Sequence, residues 1–456
     1  MRDVKIRTCL WSAVKSPLAI LTGCILFPFA GNAQEPPLPQ PSPSVLIAGF
    51  ENLGESLLIT DRVQFEAGSI AEPLDAPLSP ITGGEDRRRG RWRISPHLQV
   101  RGTYDDNIFI QPKNEVADYI LTVSPGLGVG FWDSDEEREA YLDRQRVPSF
   151  AEKDRGTFLF VDYTAILLGF ARTSSQNAFD HDGRLAARWE REKLTLGASA
   201  RFESKSETNA DIGGRVRRKT LSAAVTSAYQ LTEKTALELA FFAIENDPED
   251  FVRTTEWRVE AAAEYAVTPL VRLALGTALG RVDADGESDT TFERVFARAR
   301  YALTEKVEAE LRGGVEFRQS DGFAGDRATP IFELAVDWTP RAGTQLALEA
   351  YHRVETSMVL LDQDLTRTGG ALIFRQALRG GCHFGLEGGA HLARYTATAD
   401  EGPRADQYFY LRPGLFYNFA PWGSAGVSIE YRRNHSDRSE FDFDNVQSGV
   451  EIALYY

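Results

Sequence analysis

The chain of 456 residues carries 51 Lys+Arg against 66 Asp+Glu, a formal net charge of −15. An acidic surface repels phosphate backbones, which excludes electrostatic nucleic-acid binding. No apolar run reaches the ~18 residues a membrane helix needs, and if the start of the chain that holds Cys9 and Cys24 is cleaved off, Cys382 stands alone and no disulfide framework is expected.

In chain order, the first element is an export signal. Arg2, Lys5, Arg7 and Lys15 precede an apolar stretch over 18–30, and Gly31-Asn32-Ala33 supplies the small residues of a cleavage site. Residues 1–33 are therefore read as a signal peptide cut after Ala33. A rival cut stays open, because Leu21-Thr22-Gly23-Cys24 resembles a lipobox that would place a lipid on Cys24. Residues 34–91 follow as a Pro-rich flexible periplasmic segment, with Pro36, Pro37, Pro39, Pro41 and Pro43 holding its start extended. Arg87, Arg88, Arg89, Arg91 and Arg93 at its end read as a solvated hinge.

From Trp92 onward the period is two. Trp92, Ile94, Leu98, Val100 and Tyr104 alternate with Arg93, Ser95, Gln99, Arg101 and Thr103, the mark of a strand with one apolar and one polar face. The pattern recurs through Leu237, Leu239 and Phe241, through Val271, Leu273, Leu275 and Leu279, and finally through Val446, Val450, Ile452, Leu454 and Tyr456. It yields about 18 strands near the length a tilted membrane strand requires. Short connections at 191–193, 231–234, 267–270, 303–306, 339–343, 379–381 and 419–423 alternate with longer polar ones at 204–219, 246–254, 283–291, 319–327 and 396–404. Loops sorted by length in this way predict, for 92–456, an all-β transmembrane antiparallel barrel with periplasmic turns and extracellular loops. The segment 133–155 breaks the sorting, being long where a short turn is due, and a helix over 136–146 would fit there.

The two faces carry different chemistry. Trp189, Tyr229, Tyr265, Tyr301, Trp338, Tyr417 and Tyr456 close strands on the apolar face, most of them just before a short turn, and are read as a periplasmic aromatic girdle in contact with outer-membrane lipid. Glu256, Arg258, Glu260, Arg294, Arg298, Arg300, Glu308, Glu310 and Arg312 fall on the polar face. Charges of both signs on neighbouring strands can pair across the sheet while lining water, so these nine are the candidate lumen residues.

Certain motifs resemble a known family. Ser95-Pro96, Tyr104-Asp105-Asp106-Asn107-Ile108-Phe109 and Ser124-Pro125-Gly126 are similar to the opening of an outer-membrane β-barrel porin family encoded with exopolysaccharide genes. Tyr431 through Ser436 and Phe441-Asp442-Phe443-Asp444-Asn445 resemble that family's last hairpin. The resemblance implies an outer-membrane channel assisting polysaccharide export, with periplasmic export components as partners. The aromatic-ended last strand similarly resembles the signal read by the barrel-assembly machinery. A general small-solute porin and, less favoured, an outer-membrane barrel hydrolase are the alternatives. No cofactor, metal ligand set or catalytic residue is expected. The six His show no metal-binding spacing, Gly126-x-Gly128-x-Gly130 lies inside a strand, and Asp283-x-Asp285-Gly286 lacks the downstream Glu of a calcium loop.

Overall fold

The computed structural model describes residues 92–132, 157–284, 290–304, 306–320, 325–341, 343–357, 363–398, 402–420 and 422–455. The segment read as a signal peptide (1–33), the Pro-rich segment, the 133–155 insert with its expected helix, the calcium-like loop beyond Ala284 and Tyr456 lie outside the described residues.

The described chain is almost entirely strand. In order these are β1 (Trp92–Asp105), β2 (Asp118–Trp132), β3 (Phe158–Phe170), β4 (Ala178–Arg191), β5 (Leu194–Asn209) and β6 (Gly214–Gln230). Next come β7 (Thr235–Pro248), β8 (Thr254–Thr268), β9 (Val271–Ala284), β10 (Thr290–Thr304), β11 (Val307–Ser320) and β12 (Arg327–Arg341). The last are β13 (Thr344–Thr356), β14 (Asp364–Ala377), β15 (Cys382–Tyr395), β16 (Arg404–Ala420), β17 (Gly423–Ser436) and β18 (Phe443–Tyr455). Each strand pairs antiparallel with its chain neighbours, and β1 also pairs with β18, from His97↔Tyr455 to Asp105↔Gln447. The sheet is a closed 18-stranded barrel. Closure leaves no edge whose amides and carbonyls would face an apolar medium.

Alternation decides which face meets that medium. Leu239, Leu275, Ile429 and Val450 are 53%, 62%, 54% and 59% exposed, and in register they share the outer surface with Leu237, Leu273, Val427 and Ile452. A continuous apolar band around a closed barrel is stable in a lipid bilayer and would aggregate in water. The fold is thus that of a transmembrane β-barrel.

The seam between first and last strands is held by side chains as well as by the ladder. Asn445 Nδ2 donates to Asp105 Oδ1 at 2.6 Å and to Asp106 Oδ1 at 3.1 Å, and Gln447 Nε2 donates to Asp105 Oδ2 at 2.8 Å. Asn107 Nδ2 returns a bond to the Asp444 carbonyl at 3.2 Å. Both motif clusters quoted above, Asp105-Asp106-Asn107 and Asp444-Asn445, therefore meet at one clasp.

The 204–219 segment differs from the sequence expectation. Instead of a loop, β5 and β6 stay paired from Ser204↔Lys219 out to Asn209↔Gly214, beyond the last β4 partner of β5 at Ser204 and the last β7 partner of β6 at Arg218. Its charged residues are spaced as paired strand, Glu207↔Val216 and Lys205↔Arg218, and polarity alone had made it look like a loop. Out of the ladder on both sides, and held at its base by Ser206, which donates to Asp180 of β4 at 2.8 and 3.0 Å, this extension folds inward.

Candidate functional site

All nine candidate lumen residues share the inner face. Arg258, Glu260, Arg298, Arg300 and Arg312 are buried there, and Glu256, Arg294, Glu308 and Glu310 are half-buried. Register explains how their charges meet. Arg294 lies opposite Glu316 and Arg300 opposite Glu310, and each pair closes to 2.6 Å through Nε. Arg298 instead lies opposite Arg312, a like-charged pair that would repel. Both reach the same way along the wall, toward carboxylates on β7 and β8 that separate their charges. Arg298 Nη2 is 2.6 Å from Glu238 and 3.1 Å from Glu264, and Arg312 Nη2 is 2.8 Å from Glu260. Glu264 also receives Arg272 at 3.3 Å and Arg300 at 3.2 Å, so one carboxylate serves three guanidinium groups.

Such reaches across intervening strands need a low floor. Ala236, Ala240, Ala274 and Ala278 on the inner faces of β7 and β9 supply it, all nearly inaccessible beneath the long side chains. Rings fill the rest. The Arg312 guanidinium lies 3.8 Å from the centroid of the Phe296 ring, Arg294 4.7 Å from Phe292 and Arg258 4.7 Å from Phe242. Phe296 in turn covers Gly276, where a Cβ would sit 2.3 Å from its Cζ. The β7–β11 wall is a lattice of paired charge over small residues, in which some single atoms, such as Arg298 Nε and Glu260 Oε1, make no hydrogen bond of their own. Buried charges of this kind are tolerable because each has a partner.

The second part of the site is the β5–β6 hairpin. In the ring order, β13–β17 lie on the far arc from β5 and β6, yet the hairpin tip touches them, so it crosses the lumen. Arg404 Nη2 on β16 donates to the Asp211 carboxylate and to its carbonyl, each at 3.1 Å. Ser357 Oγ donates to the same carboxylate at 3.4 Å, and Arg432 Nη1 on β17 donates to Thr208 Oγ1 at 3.2 Å. Ala210 packs with Ile110, Tyr408, Tyr410 and Phe443. Asn209 Oδ1 accepts from the Asp211 and Ile212 amides at 2.8 and 3.3 Å, which shapes the turn. Gly213 completes it at φ +72°, where a Cβ would meet the Phe441 ring at 2.8 Å, so this position demands glycine. Arg432 also donates to Asn445 Oδ1 at 2.6 Å, tying the tip to the β1–β18 clasp.

The girdle candidates Trp189, Tyr229, Tyr265, Tyr301, Trp338 and Tyr417 all lie on the outer face toward the short-turn end, 40% to 49% exposed. Trp92, Phe419 and Trp422, not singled out from the sequence, stand at the same end and are 51%, 42% and 48% exposed. His383 and His391 face inward on β15, stacked on Phe416 and Tyr408 at 5.4 and 5.0 Å between centroids. Among the described residues no group of three His, Cys, Asp or Glu side chains could hold a metal ion. One inner trio has the residue types of a hydrolase, with His97 Nε2 3.0 Å from Thr164 Oγ1. Its Asp162 carboxylate is 3.9 Å from His97 Nδ1, beyond the hydrogen bond that would orient a base.

Sequence reading missed the hairpin tip and its dock, Thr208, Asp211, Arg404 and Arg432. The available signal was the length of β5 and β6, 16 and 17 residues, against 14 for β4 and β7. The alanine floor was equally visible as small residues alternating with Leu on β7 and β9.

The geometry defines an 18-stranded transmembrane β-barrel with a charged inner wall and a hairpin folded across it. No family model matches the chain, and no curated protein matches its sequence. Among solved structures it is similar to OpdK of Pseudomonas aeruginosa with vanillate, at 11% identity and a TM-score of 0.41, over 80% of this chain and 99% of that one. OpdO of the same organism gives 12% and 0.42, over 80% and 97%. OccAB3 of Acinetobacter baumannii gives 9% and 0.40, over 80% and 99%. These are likenesses of barrel architecture.

Proposed function

We propose that this barrel is an outer-membrane channel for polar solutes, with the charged inner wall as its conduit and the β5–β6 hairpin as its narrowest point. The observation that carries the reading is the crossing hairpin: its Asp211 tip rests on Arg404 of the far wall inside an 18-stranded ring. Barrels of this strand number enclose enough space for water beside such an element. The charged lattice supplies fixed charge of both signs along the route, which sorts solutes by charge and size.

Two substrate classes follow, and polysaccharide export is the finer reading, resting on the motif resemblance. Passage of a long sugar chain would require the hairpin to swing from its dock. The small-solute alternative has one specific support. Several inner rings that could stack on sugars, Phe242, Phe292 and Phe296, lie beneath arginines rather than facing open space. Lipid of the outer membrane, the barrel-assembly machinery and periplasmic export components are the partners this function implies. Liposome swelling with sugars of graded size tests the reading. Monosaccharides should enter faster than long oligosaccharides in vesicles bearing the refolded barrel. Equal swelling in protein-free vesicles would remove the channel assignment.

A further inference from the structure

The Asp211 carboxylate occupies a place built for an anion that the protein itself need not supply. Arg404 is buried, 5% exposed, and its guanidinium lies 3.7 Å from the ring centroid of Tyr395 and 3.8 Å from that of Phe441. Rings fix the plane of the fork and exclude water from its faces. The fork is nonetheless used poorly by its present partners. Asp211 and Asp406 both approach the single nitrogen Nη2, at 3.1 Å each, while the buried Nε has no hydrogen-bond partner. A carboxylate arriving end-on could take two nitrogens in parallel, the stronger bidentate arrangement. Arg432 on the neighbouring strand adds a second cation beside the tip, and Ser357 adds a hydroxyl donor. The site therefore combines a ring-held guanidinium, a vacant buried donor and a hydroxyl, closed by an aspartate at the tip of a hairpin. That hairpin is anchored to the near wall at its base, through Ser206 to Asp180, and has left the strand ladder on both sides.

Resting on the channel reading, we propose that Asp211 is an internal ligand of a carboxylate-binding site centred on Arg404. A solute bearing a carboxylate competes for Arg404, releases the hairpin tip, and so opens the path that it then takes. A neutral solute of the same size makes no such bond and leaves the hairpin docked. Linkage requires this sign. A ligand that binds the undocked form alone shifts the population toward that form. The remaining tip contacts, Thr208 to Arg432 and Ala210 among the aromatics, return the hairpin when the solute leaves.

The experiment is single-channel recording of the refolded full-length protein, with galacturonate and galactose as matched probes. In the parent protein galacturonate should raise the time spent in the higher-conductance state several-fold, and galactose should not. Asp211→Ala should reach that state without any solute, by about tenfold if one charge-assisted hydrogen bond holds the tip, and should gain nothing from galacturonate. Arg404→Gln should also open without solute and be blind to both probes. As a variant that cannot be dismissed as misfolded, Asp211→Asn keeps the shape and should show intermediate opening. Equal responses to galacturonate and galactose, or an Asp211→Ala trace identical to the parent, would overturn the latch while leaving a conducting channel. Silence from every variant, including one with the hairpin shortened, would overturn the latch together with the channel reading.

Discussion

The β7–β11 wall and the β13–β17 wall both pair arginines with their own carboxylates, as Arg412 does with Glu387 and Glu430 in the second, but they differ in what they offer the hairpin. In the first, Arg298 bonds Glu238 and Glu264, Arg312 bonds Glu260 and Arg294 bonds Glu316 within the wall, and Arg318 of β11 joins it through the same sheet to Asp364 of β14. In the second, Arg404 and Arg432 reach out of the wall to Asp211 and Thr208 on the hairpin. A lattice closed within its own sheet is fixed by the barrel, and removing any member strands its partners. A contact made to a hairpin outside the sheet can exchange. The inner charge of one barrel thus divides into structure and function by whether the partner belongs to the wall.

The comparison breaks most readily at Glu264. Glu264→Ala strips Arg272, Arg298 and Arg300 of a shared acid, and urea unfolding in vesicles should show a loss of about 3–5 kcal/mol, the cost of an uncompensated buried charge. Next in size is the outer face behind the same wall. Leu275→Arg places a guanidinium in the apolar band and should cost about 2–4 kcal/mol near the bilayer midplane. A negligible cost there would show that the faces are reversed. Gly276→Ala is a smaller steric probe. The new methyl would collide with the Phe296 ring and approach the Ala261 carbonyl at 2.9 Å, for about 1–3 kcal/mol. Smallest is Asp211→Ala. Arg404 keeps Asp406 at 3.1 Å, so stability should fall by about 1 kcal/mol or less, and the change should register in conductance instead. A large loss of stability at Asp211 would place the hairpin with the lattice and dissolve the distinction.

How much of this was legible in the sequence depends on the range of the interaction. The strand count, the inward face of Glu256 to Arg312 and the outward aromatics follow from a period of two, which is local. The clasp of Asp105 and Asn445 could be quoted as motifs, but their meeting depends on a ring closed between the two ends of the described chain. Hairpin and loop look alike at 204–219 because both are polar there. What separates them is the end of pairing with β4 and β7, a register fact that no single segment states. The dock for Asp211 comes from β16, β17 and the turn after β13, three places distant in sequence that the inward fold brings together.

The central claim is that the hairpin narrows a conduit through the ring. Its most direct test is the conductance of single refolded barrels in a planar bilayer, comparing the parent with a variant in which 206–215 is replaced by a tight Asn-Gly turn. The account predicts discrete conducting steps in both, with larger and steadier steps in the shortened form. Identical step sizes, or no steps from the shortened barrel while it remains folded and inserted, would contradict it.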